Sequence, residues 1–281
     1  MELATEICKF IEHPFPLWET TLTHQLLRHK WRELEKKGFQ SFDDYSTARF
    51  WLGDSASGIG KKKEIVESNL CVEMPSFQLQ SFYDEHGLEL LTENEIEADG
   101  ALLKLNKAIS ILRLIEPAYD CITDLVRSIH LLRQPNVEID LSYSHPQIPF
   151  SIFVSVCEDD STISNLRVAE SILHEAMHLK LTLIENIVPL IKPNTNSLYY
   201  SPWRDEHRPT RGVLHGLFVF KVIKDFYKLL LTEDLVSSDQ ENDFVKYRVE
   251  AIHYELQLLT DFPKSEGLTH FGKELARKLM I

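Results

Sequence analysis

The chain has 281 residues, enough for one large domain or two that pack together, and its 43% hydrophobic and 26% charged residues are ordinary for a globular protein. The net charge of −13 argues against a nucleic-acid partner or an anionic membrane surface, because either would require a basic surface. The four cysteines have no metal-binding or disulfide spacing, the N-terminus lacks a signal-peptide pattern, and no apolar run is long enough to span a membrane. We therefore expect a soluble, cytoplasmic protein.

The first hundred residues are predicted to be mostly helical. Apolar residues recur at helical spacing from Leu3 to Ile11, and a longer helix is predicted from Leu17 to Lys37. Residues 55–63 are the best linker candidate, and their Gly-x-Gly-Lys portion lacks the full spacing of a phosphate-binding loop. The acidic residues 77–99 favour a solvated helix face or loop, which could also help to dock a basic peptide.

Helices and strands are predicted to alternate in the next stretch. Residues 101–132 have the apolar spacing of core helix, with a break or kink at Pro117. Alternation of apolar and polar residues from Val137 to Tyr143 predicts a half-buried strand, and Ile152 to Val156 is a second short β-rich run. A long amphipathic helix is then predicted from Ser161 to Asn186.

This long helix contains an HExxH motif, made by His174, Glu175 and His178. Histidines four residues apart lie on one helix face and can present two imidazole nitrogens to one metal ion, whereas Glu175 projects roughly 100° away, beside the metal. We therefore expect a mainly α (α+β) fold, in which a small β-sheet packs against the HExxH helix in a local architecture reminiscent of zincins. We divide the chain into residues 1–100, a mostly helical region that could bind a peptide, and residues 101–281, a metal-binding catalytic domain.

Two histidines leave a metal under-coordinated, so a third protein ligand is required. Residues 191–210 form a long loop rich in Pro, Asn and aromatic residues, and a helix carrying His215 between Gly212 and Gly216 begins near Pro209. His215 is the favoured third ligand, because the flanking glycines permit close approach of the backbone. The other downstream candidates are His207, Asp205, Glu206 and Glu255. Further helices are predicted over residues 242–260 and from Leu268 onward.

Several short motifs together resemble a known family. They are Leu173-His-Glu-Ala-Met-His178, Tyr200-Ser-Pro-Trp-Arg204, Arg208-Pro209, Gly212-Val-Leu-His-Gly216 and Leu268-Thr-His-Phe-Gly272. This combination is similar to the HExxH-motif peptide-modification proteins encoded beside ribosomally made, post-translationally modified peptides. The resemblance is strong over residues 161–225 and loose in the N-terminal half.

The resemblance implies an iron(II)- and 2-oxoglutarate-dependent hydroxylase that places a hydroxyl group on the β-carbon of a residue in a precursor peptide. It implies iron ligands at His174, His178 and His215, and a cosubstrate carboxylate paired with Arg204 or Arg208. Arginine suits a carboxylate because its planar guanidinium binds both oxygens, and Arg211 belongs to the same cluster of candidate cosubstrate-binding residues. In such an oxygenase Glu175 would orient a ligand or the peptide.

Two other classes of function remain open from the sequence. In a zinc metallopeptidase Glu175 would be the general base that activates metal-bound water. The longer HExxHxxGxxH form is absent, and Glu250 and Glu255 are weak candidates for a glutamate ligand. A peptide-binding or scaffold protein with a structural metal site is disfavoured by the arginine-rich loop, because structural sites are closed and usually rich in cysteine. The oligomeric state is not determined by the sequence.

Overall fold

The computed structural model describes residues 2–13, 16–41, 45–52, 62–65, 70–98, 100–157 and 159–281, with only the backbone of residues 63 and 64. The protein is mainly helical, with 59% of the described residues in helices, a small mixed sheet and a separate two-stranded sheet. The predicted α+β class is therefore confirmed. Within the described ranges, no helix has both the length and the apolar character that a membrane crossing requires.

Long helices dominate the second half of the chain, and the strands are short. The helices are α1 (Glu2–Glu12), α2 (Thr20–Lys36), α3 (Thr47–Leu52), α4 (Gln80–His86), α5 (Glu93–Ala98), α6 (Ala101–Arg113), α7 (Glu116–Leu125), α8 (Thr162–Glu185), α9 (Thr210–Thr232), α10 (Asp239–Gln257) and α11 (His270–Leu279). The strands are β1 (Lys62–Glu64), β2 (Cys71–Glu73), β3 (Ser128–Leu132), β4 (Ser142–Tyr143), β5 (Ser151–Ser155), β6 (Leu198–Ser201) and β7 (Glu206–Pro209).

The chain forms two compact units. The terminal unit comprises Met1–Leu26 and Lys180–Ile281, and the central unit comprises Leu27–Leu179. The sequence-based division assigned peptide binding to residues 1–100 and metal-dependent catalysis to residues 101–281. This assignment of functions stays a prediction. The predicted linker over residues 55–63 lies outside the described residues except for Lys62 and the backbone of Lys63, which belong to β1.

The central unit is built on a five-stranded sheet with the order β1-β2-β3-β5-β4. Strands β2, β3 and β5 run parallel, and the antiparallel strands β1 and β4 form the two edges. Every residue of β3 and β5 is buried, as expected for parallel strands covered on both faces. The prediction of a strand near Ile152 to Val156 is confirmed by β5.

Strand β3 was not predicted. The helical pattern assigned to residues 101–132 instead ends with α7 at Leu125, and Val126 is already extended, with ψ of 132°. Residues Ser128–Leu132 then form the central strand of the sheet. A short apolar run that is buried on both faces shows no alternation of apolar and polar residues. Ile129 was therefore compatible with the helical spacing of the preceding residues as well as with a strand.

The strand predicted from Val137 to Tyr143 is much shorter than expected, because only Ser142 and Tyr143 pair with β5. The side chain of Asn136 accepts hydrogen bonds from the backbone N–H groups of Glu138 and Ile139, at 2.9 and 3.1 Å, which closes a turn. Val137 and Ile139 are consequently about half exposed, at 51% and 48%. The alternating pattern was therefore wrong for the first part of this segment.

A buried polar network ties three strands of the sheet to the start of α3. The carboxylate of Glu73 accepts hydrogen bonds from the backbone N–H and the hydroxyl of Thr47, at 2.9 and 3.0 Å. The Thr47 hydroxyl also lies 2.7 Å from Nε2 of His130 and 2.8 Å from the hydroxyl of Ser151. All four residues are fully buried, so each polar group depends on the others for its hydrogen bonds.

The terminal unit contains α1, α9, α10, α11 and the hairpin formed by β6 and β7. The helices predicted near Pro209, over residues 242–260 and after Leu268 are confirmed by α9, α10 and α11. The long loop predicted at residues 191–210 contains this hairpin, which was missed. Its turn places Asp205 at a φ of 48° without the glycine that usually marks such a turn.

Acidification is expected to destabilise the central unit through His130. Burial lowers the pKa of His130 below its ordinary 6.5, so folding favours the neutral ring. The contribution of this group to the free energy of unfolding is present above pH 6.5 and is lost as the pH falls through the lowered pKa. Urea unfolding at pH 7.5 and pH 5 should show a smaller loss of stability in His130→Gln than in the wild type.

The comparison of variant and wild type removes the contributions of other groups, including His145 and His215, whose pKa values are also lowered by burial. An equal loss of stability in both proteins would contradict the role given to His130.

Candidate functional site

Helix α8 presents the two histidines of the motif at one point. Nε2 of His174 lies 3.1 Å from Nε2 of His178, with the two rings nearly perpendicular at 72°. The helix begins where the hydroxyl of Ser161 accepts a hydrogen bond from the backbone N–H of Ser164. The apolar residues around the histidines are buried and fix the rotation of the helix; they are Ile172, Leu173, Ala176 and Met177.

The separation of the two nitrogens fits joint binding of one metal ion. Metal–nitrogen bonds of about 2.0–2.1 Å place two imidazole nitrogens about 2.9 Å apart at a right angle and about 3.3 Å apart at a tetrahedral angle. The observed 3.1 Å between His174 and His178 lies between these values. The donor set therefore suits the octahedral geometry of iron(II) and the tetrahedral geometry of zinc equally well.

Glu175 is buried and is held by two serines of the edge strand region. One carboxylate oxygen accepts a hydrogen bond from the hydroxyl of Ser142 at 2.7 Å, and the other accepts one from Ser144 at 2.6 Å. The first oxygen also lies 3.9 Å from Nε2 of His174. A carboxylate that is only 3% exposed needs such donors, because burying an unpaired charge is costly. Both hydrogen bonds connect α8 to β4 and the residue that follows it.

The sequence analysis did not identify Ser142 and Ser144 as part of the site. In the sequence, Ser142 is one of the polar positions of the strand predicted from Val137 to Tyr143. Residues two apart in a strand share a face, so the Ser-x-Ser spacing was the available signal. Only the packing of β4 against α8 shows that this face meets Glu175.

His174, Glu175 and His178 form a potential metal-binding cluster, with one ligand atom from each lying within 4.8 Å of the others. It is the one group of three or more such side chains found in the part of the chain that the structure describes. The imidazoles are the stronger candidates for ligands, because both oxygens of Glu175 already bind serine hydroxyls.

Tyr143 stands between the two serines and belongs to a ring cluster in the central unit. Its hydroxyl lies 3.1 Å from Nδ1 of His86, and the ring of His86 is 4.9 Å from that of His145. Burial and the charge of Glu175 raise the pKa of Tyr143, so its phenol is neutral at physiological pH. The three rings are partly exposed, and Tyr143 lies next in the chain to both serines that hold Glu175.

The predicted third ligand, His215, lies on α9 in the terminal unit. Its Nε2 is 3.0 Å from the carboxylate of Glu185, which also accepts a hydrogen bond from Nε of Arg211 at 2.9 Å. Burial lowers the pKa of His215, so the ring is neutral, its Nε2–H donates to Glu185, and the lone pair is on Nδ1. Burial alone would raise the pKa of Glu185, but its bonds to His215 and Arg211 hold the pKa below its ordinary value.

Residues of the motifs at 200–204, 208–209 and 212–216 contact one another within the terminal unit. A side chain at Gly216 would place its Cβ 2.6 Å from the ring of Trp203, which stacks on Phe220 at 4.7 Å. A Cβ at Gly212 would lie 3.7 Å from the guanidinium of Arg208. Gly216 therefore permits the close approach of Trp203, whereas a Cβ at Gly212 would make only an ordinary van der Waals contact with Arg208.

The three predicted cosubstrate-binding arginines differ in their surroundings. Arg211 is held by Glu185, whereas Nε of Arg208 has only the looser contact with Glu206, at 3.6 Å, and its side chain is 40% exposed. Arg204 is exposed on the turn of the hairpin. Arg208 and Arg204 are therefore better placed than Arg211 to receive an external carboxylate.

The other candidate ligands in this region are partly engaged or exposed. Asp205 accepts a hydrogen bond from the hydroxyl of Tyr200 at 2.9 Å, and His207 and Glu206 are exposed on β7. Glu255 and Glu250, the weak candidates for a glutamate ligand, lie on α10. None of these residues combines the burial and the ordered carboxylate partner that His215 has.

No protein-family model matches the sequence, and a search of curated proteins finds no similar sequence.

Removing the donors to Glu175 is expected to destabilise the protein. The double change Ser142→Ala and Ser144→Ala leaves a buried carboxylate without these two hydrogen bonds, which should cost about 2–5 kcal/mol in free energy of unfolding. Urea unfolding measures the effect, and Ser81→Ala, on the exposed side of α4, is the matched control. Equal stability of the double variant and the control would show that the two hydroxyls do not support Glu175.

The affinity for a metal ion should fall by different amounts when different histidines are replaced. His174→Ala and His178→Ala each remove one of two converging nitrogens, so each should lower the affinity for Fe(II) or Zn(II) at least about a hundredfold. The sequence-based prediction that His215 is the third ligand implies that His215→Ala also weakens binding, and that Glu185→Gln weakens it about tenfold or more by releasing the His215 ring. Titration of the metal-free protein, followed by elemental analysis, measures both effects.

His86→Ala is the control for a histidine outside the motif. Unchanged metal affinity in His215→Ala would remove His215 from the ligand set. Unchanged affinity in His174→Ala and His178→Ala together would rule out a metal site on α8.

Proposed function

We propose that the protein is a metal-dependent enzyme that modifies a peptide, with its catalytic ion bound by His174 and His178. The observation that carries this proposal is the convergence of the two Nε2 atoms at 3.1 Å, beside a buried carboxylate. Two imidazoles alone leave several coordination positions for substrate and cosubstrate, which distinguishes a catalytic site from a closed structural one. His215 is proposed as the third ligand from the sequence.

The proposed reaction is hydroxylation of a precursor peptide at a β-carbon, with iron(II), 2-oxoglutarate and dioxygen. The resemblance of the motifs at residues 173–178, 200–204 and 212–216 supports this choice over other metal-dependent reactions. Bound iron with its cosubstrate supplies the oxidising chemistry. The protein's own residues bind the ion, receive the 2-oxoglutarate carboxylate and hold the peptide in place.

Arg208 is the preferred residue for the distal carboxylate of 2-oxoglutarate, with Arg204 as the second candidate. A guanidinium offers two parallel N–H donors to a carboxylate, and the loose contact of Arg208 with Glu206 leaves this capacity largely unused. Arg211 has a different proposed task, because its bond to Glu185 helps to keep that carboxylate ionised and in place beside His215. Replacing Arg211 would therefore act on the ligand set and not on the cosubstrate.

Glu175 is proposed to orient the site and not to transfer a proton. Each of its oxygens accepts a serine hydrogen bond, which fixes the carboxylate beside His174. This favours the supporting role expected in an oxygenase over the general base of a hydrolase. A cytoplasmic location is part of the proposal, and the four free cysteines are compatible with it.

A zinc metallopeptidase is the second candidate, favoured by one specific observation. Glu175 lies 3.9 Å from Nε2 of His174, close enough to contact a water molecule bound to the same ion. We also propose that the mixed sheet, with edge strand β4 beside the motif helix, is a zincin-like arrangement. That arrangement is compatible with either reaction, so the chemistry has to be tested directly.

The hydroxylase proposal is tested with purified protein, Fe(II), ascorbate and 2-oxoglutarate. A peptide encoded beside the gene should gain the mass of one oxygen atom, with one succinate formed for each hydroxylation. Arg208→Ala should raise the KM for 2-oxoglutarate about tenfold or more, because the carboxylate loses a bidentate partner, while metal affinity stays unchanged. Arg211→Ala should lower metal affinity instead.

The same preparation loaded with zinc provides the opposing test. If the protein is a peptidase, it cleaves the peptide, and Glu175→Gln abolishes the cleavage. Cleavage without succinate would overturn the hydroxylase proposal, and bound metal without either product would favour a structural site.

A further inference from the structure

The terminal unit contains a cavity of about 760 Å³ that the proposed chemistry does not use. Helices α1, α9 and α11 and residues 16–18 surround it. Its apolar wall consists of Ile11, Leu17, Trp18, Leu229 and Leu279. Cavities of several hundred cubic ångströms with mainly apolar walls are typical of small-molecule sites.

Basic side chains also line this cavity, and two of them have acidic partners. Lys221 binds Asp225 at 2.7 and 2.8 Å, and Arg277 binds Glu274. Lys278 is different: its ammonium group donates to the backbone oxygen of Phe10. Among the described residues, no carboxylate forms an ion pair with Lys278.

The ammonium group of Lys278 is partly withdrawn from water in a positively charged setting. It stands 4.1 Å from the centre of the Phe10 ring, and the fully buried Lys180 lies 5.5 Å from the same ring. Burial, followed by the charges of Lys180 and Lys221, lowers the pKa of Lys278 to about 8. Lys278 therefore remains mostly charged at pH 7, next to an apolar wall and without a neutralising side chain.

Acidic side chains near the cavity do not cancel this charge. Asp225 and Glu274 are occupied by Lys221 and Arg277, and Glu12 is exposed at the end of α1. The exposed Lys228 adds a further positive charge to the rim. An anion beside Lys278 would supply the missing opposite charge.

We propose that this cavity binds a small amphipathic carboxylate, with its head group on Lys278 and its hydrocarbon body against Leu17, Trp18 and Leu229. The apolar wall selects for a hydrocarbon chain, because its burial removes apolar surface from water. The ammonium group selects for an anion over a neutral or cationic head. The proposal is independent of the metal site, and the two can fail separately.

Isothermal titration calorimetry with octanoate, 1-octanol and octyltrimethylammonium tests the choice of head group. Octanoate should bind about tenfold more tightly than 1-octanol, since a hydrogen bond to a charged group adds to the shared burial of the chain. Octyltrimethylammonium should bind more weakly than either. Lys278→Met should reduce octanoate affinity about tenfold or more and leave 1-octanol binding nearly unchanged.

Further variants separate the effect of the charge from a loss of folding and from a loss of the apolar wall. Lys278→Arg preserves the charge and should retain octanoate binding if Lys278→Met fails to fold. Leu229→Ser should weaken octanoate and 1-octanol alike, and Lys246→Met, on the exposed face of α10, should change neither. No octanoate binding up to about 10 mM, equal affinities for octanoate and 1-octanol, or full binding by Lys278→Met would each overturn the proposal.

Discussion

The interaction on which the candidate site depends is the pair of hydrogen bonds that Ser142 and Ser144 donate to Glu175. A buried carboxylate must be paired, and these hydroxyls tie α8 to the edge of the central sheet. Once the rotation of α8 is fixed at Glu175, His174 and His178 lie together on the adjoining face, because residues four apart share a face of a helix. The convergence of the two histidines therefore follows from their spacing on α8, and the serine hydrogen bonds fix the carboxylate of Glu175 beside them.

Among the described residues, three buried or largely buried carboxylates are each held by donors from another segment of the chain. Glu73 binds the backbone and hydroxyl of Thr47, Glu175 binds serine hydroxyls, and Glu185 binds Arg211 and His215. The first bonds join a strand to a short helix, whereas the other two place a carboxylate beside a histidine. An ordered carboxylate next to a histidine fixes the ring and its tautomer.

The sequence was most informative where a pattern is long or chemically specific. The extended apolar pattern from Ser161 to Asn186 predicted α8 to within one residue at each end, and the HExxH spacing predicted the convergence of the histidines. The short patterns were less reliable. Ser128–Leu132 resembled a continuation of helix, and the hairpin of β6 and β7 has no glycine at its turn, so local composition did not distinguish these strands.

The sequence by itself determined the α+β fold class, the helix that carries the motif and the residue types that could bind a metal. These features depend on periodicity and spacing along one chain segment. Only the tertiary structure decided that Ser142 and Ser144 support Glu175, that Arg211 is committed to Glu185, and that Trp203 covers Gly216. Each of these contacts joins residues from different segments of the chain. Periodicity describes which face of one element is buried, but it contains no information about which side chains of another element meet that face.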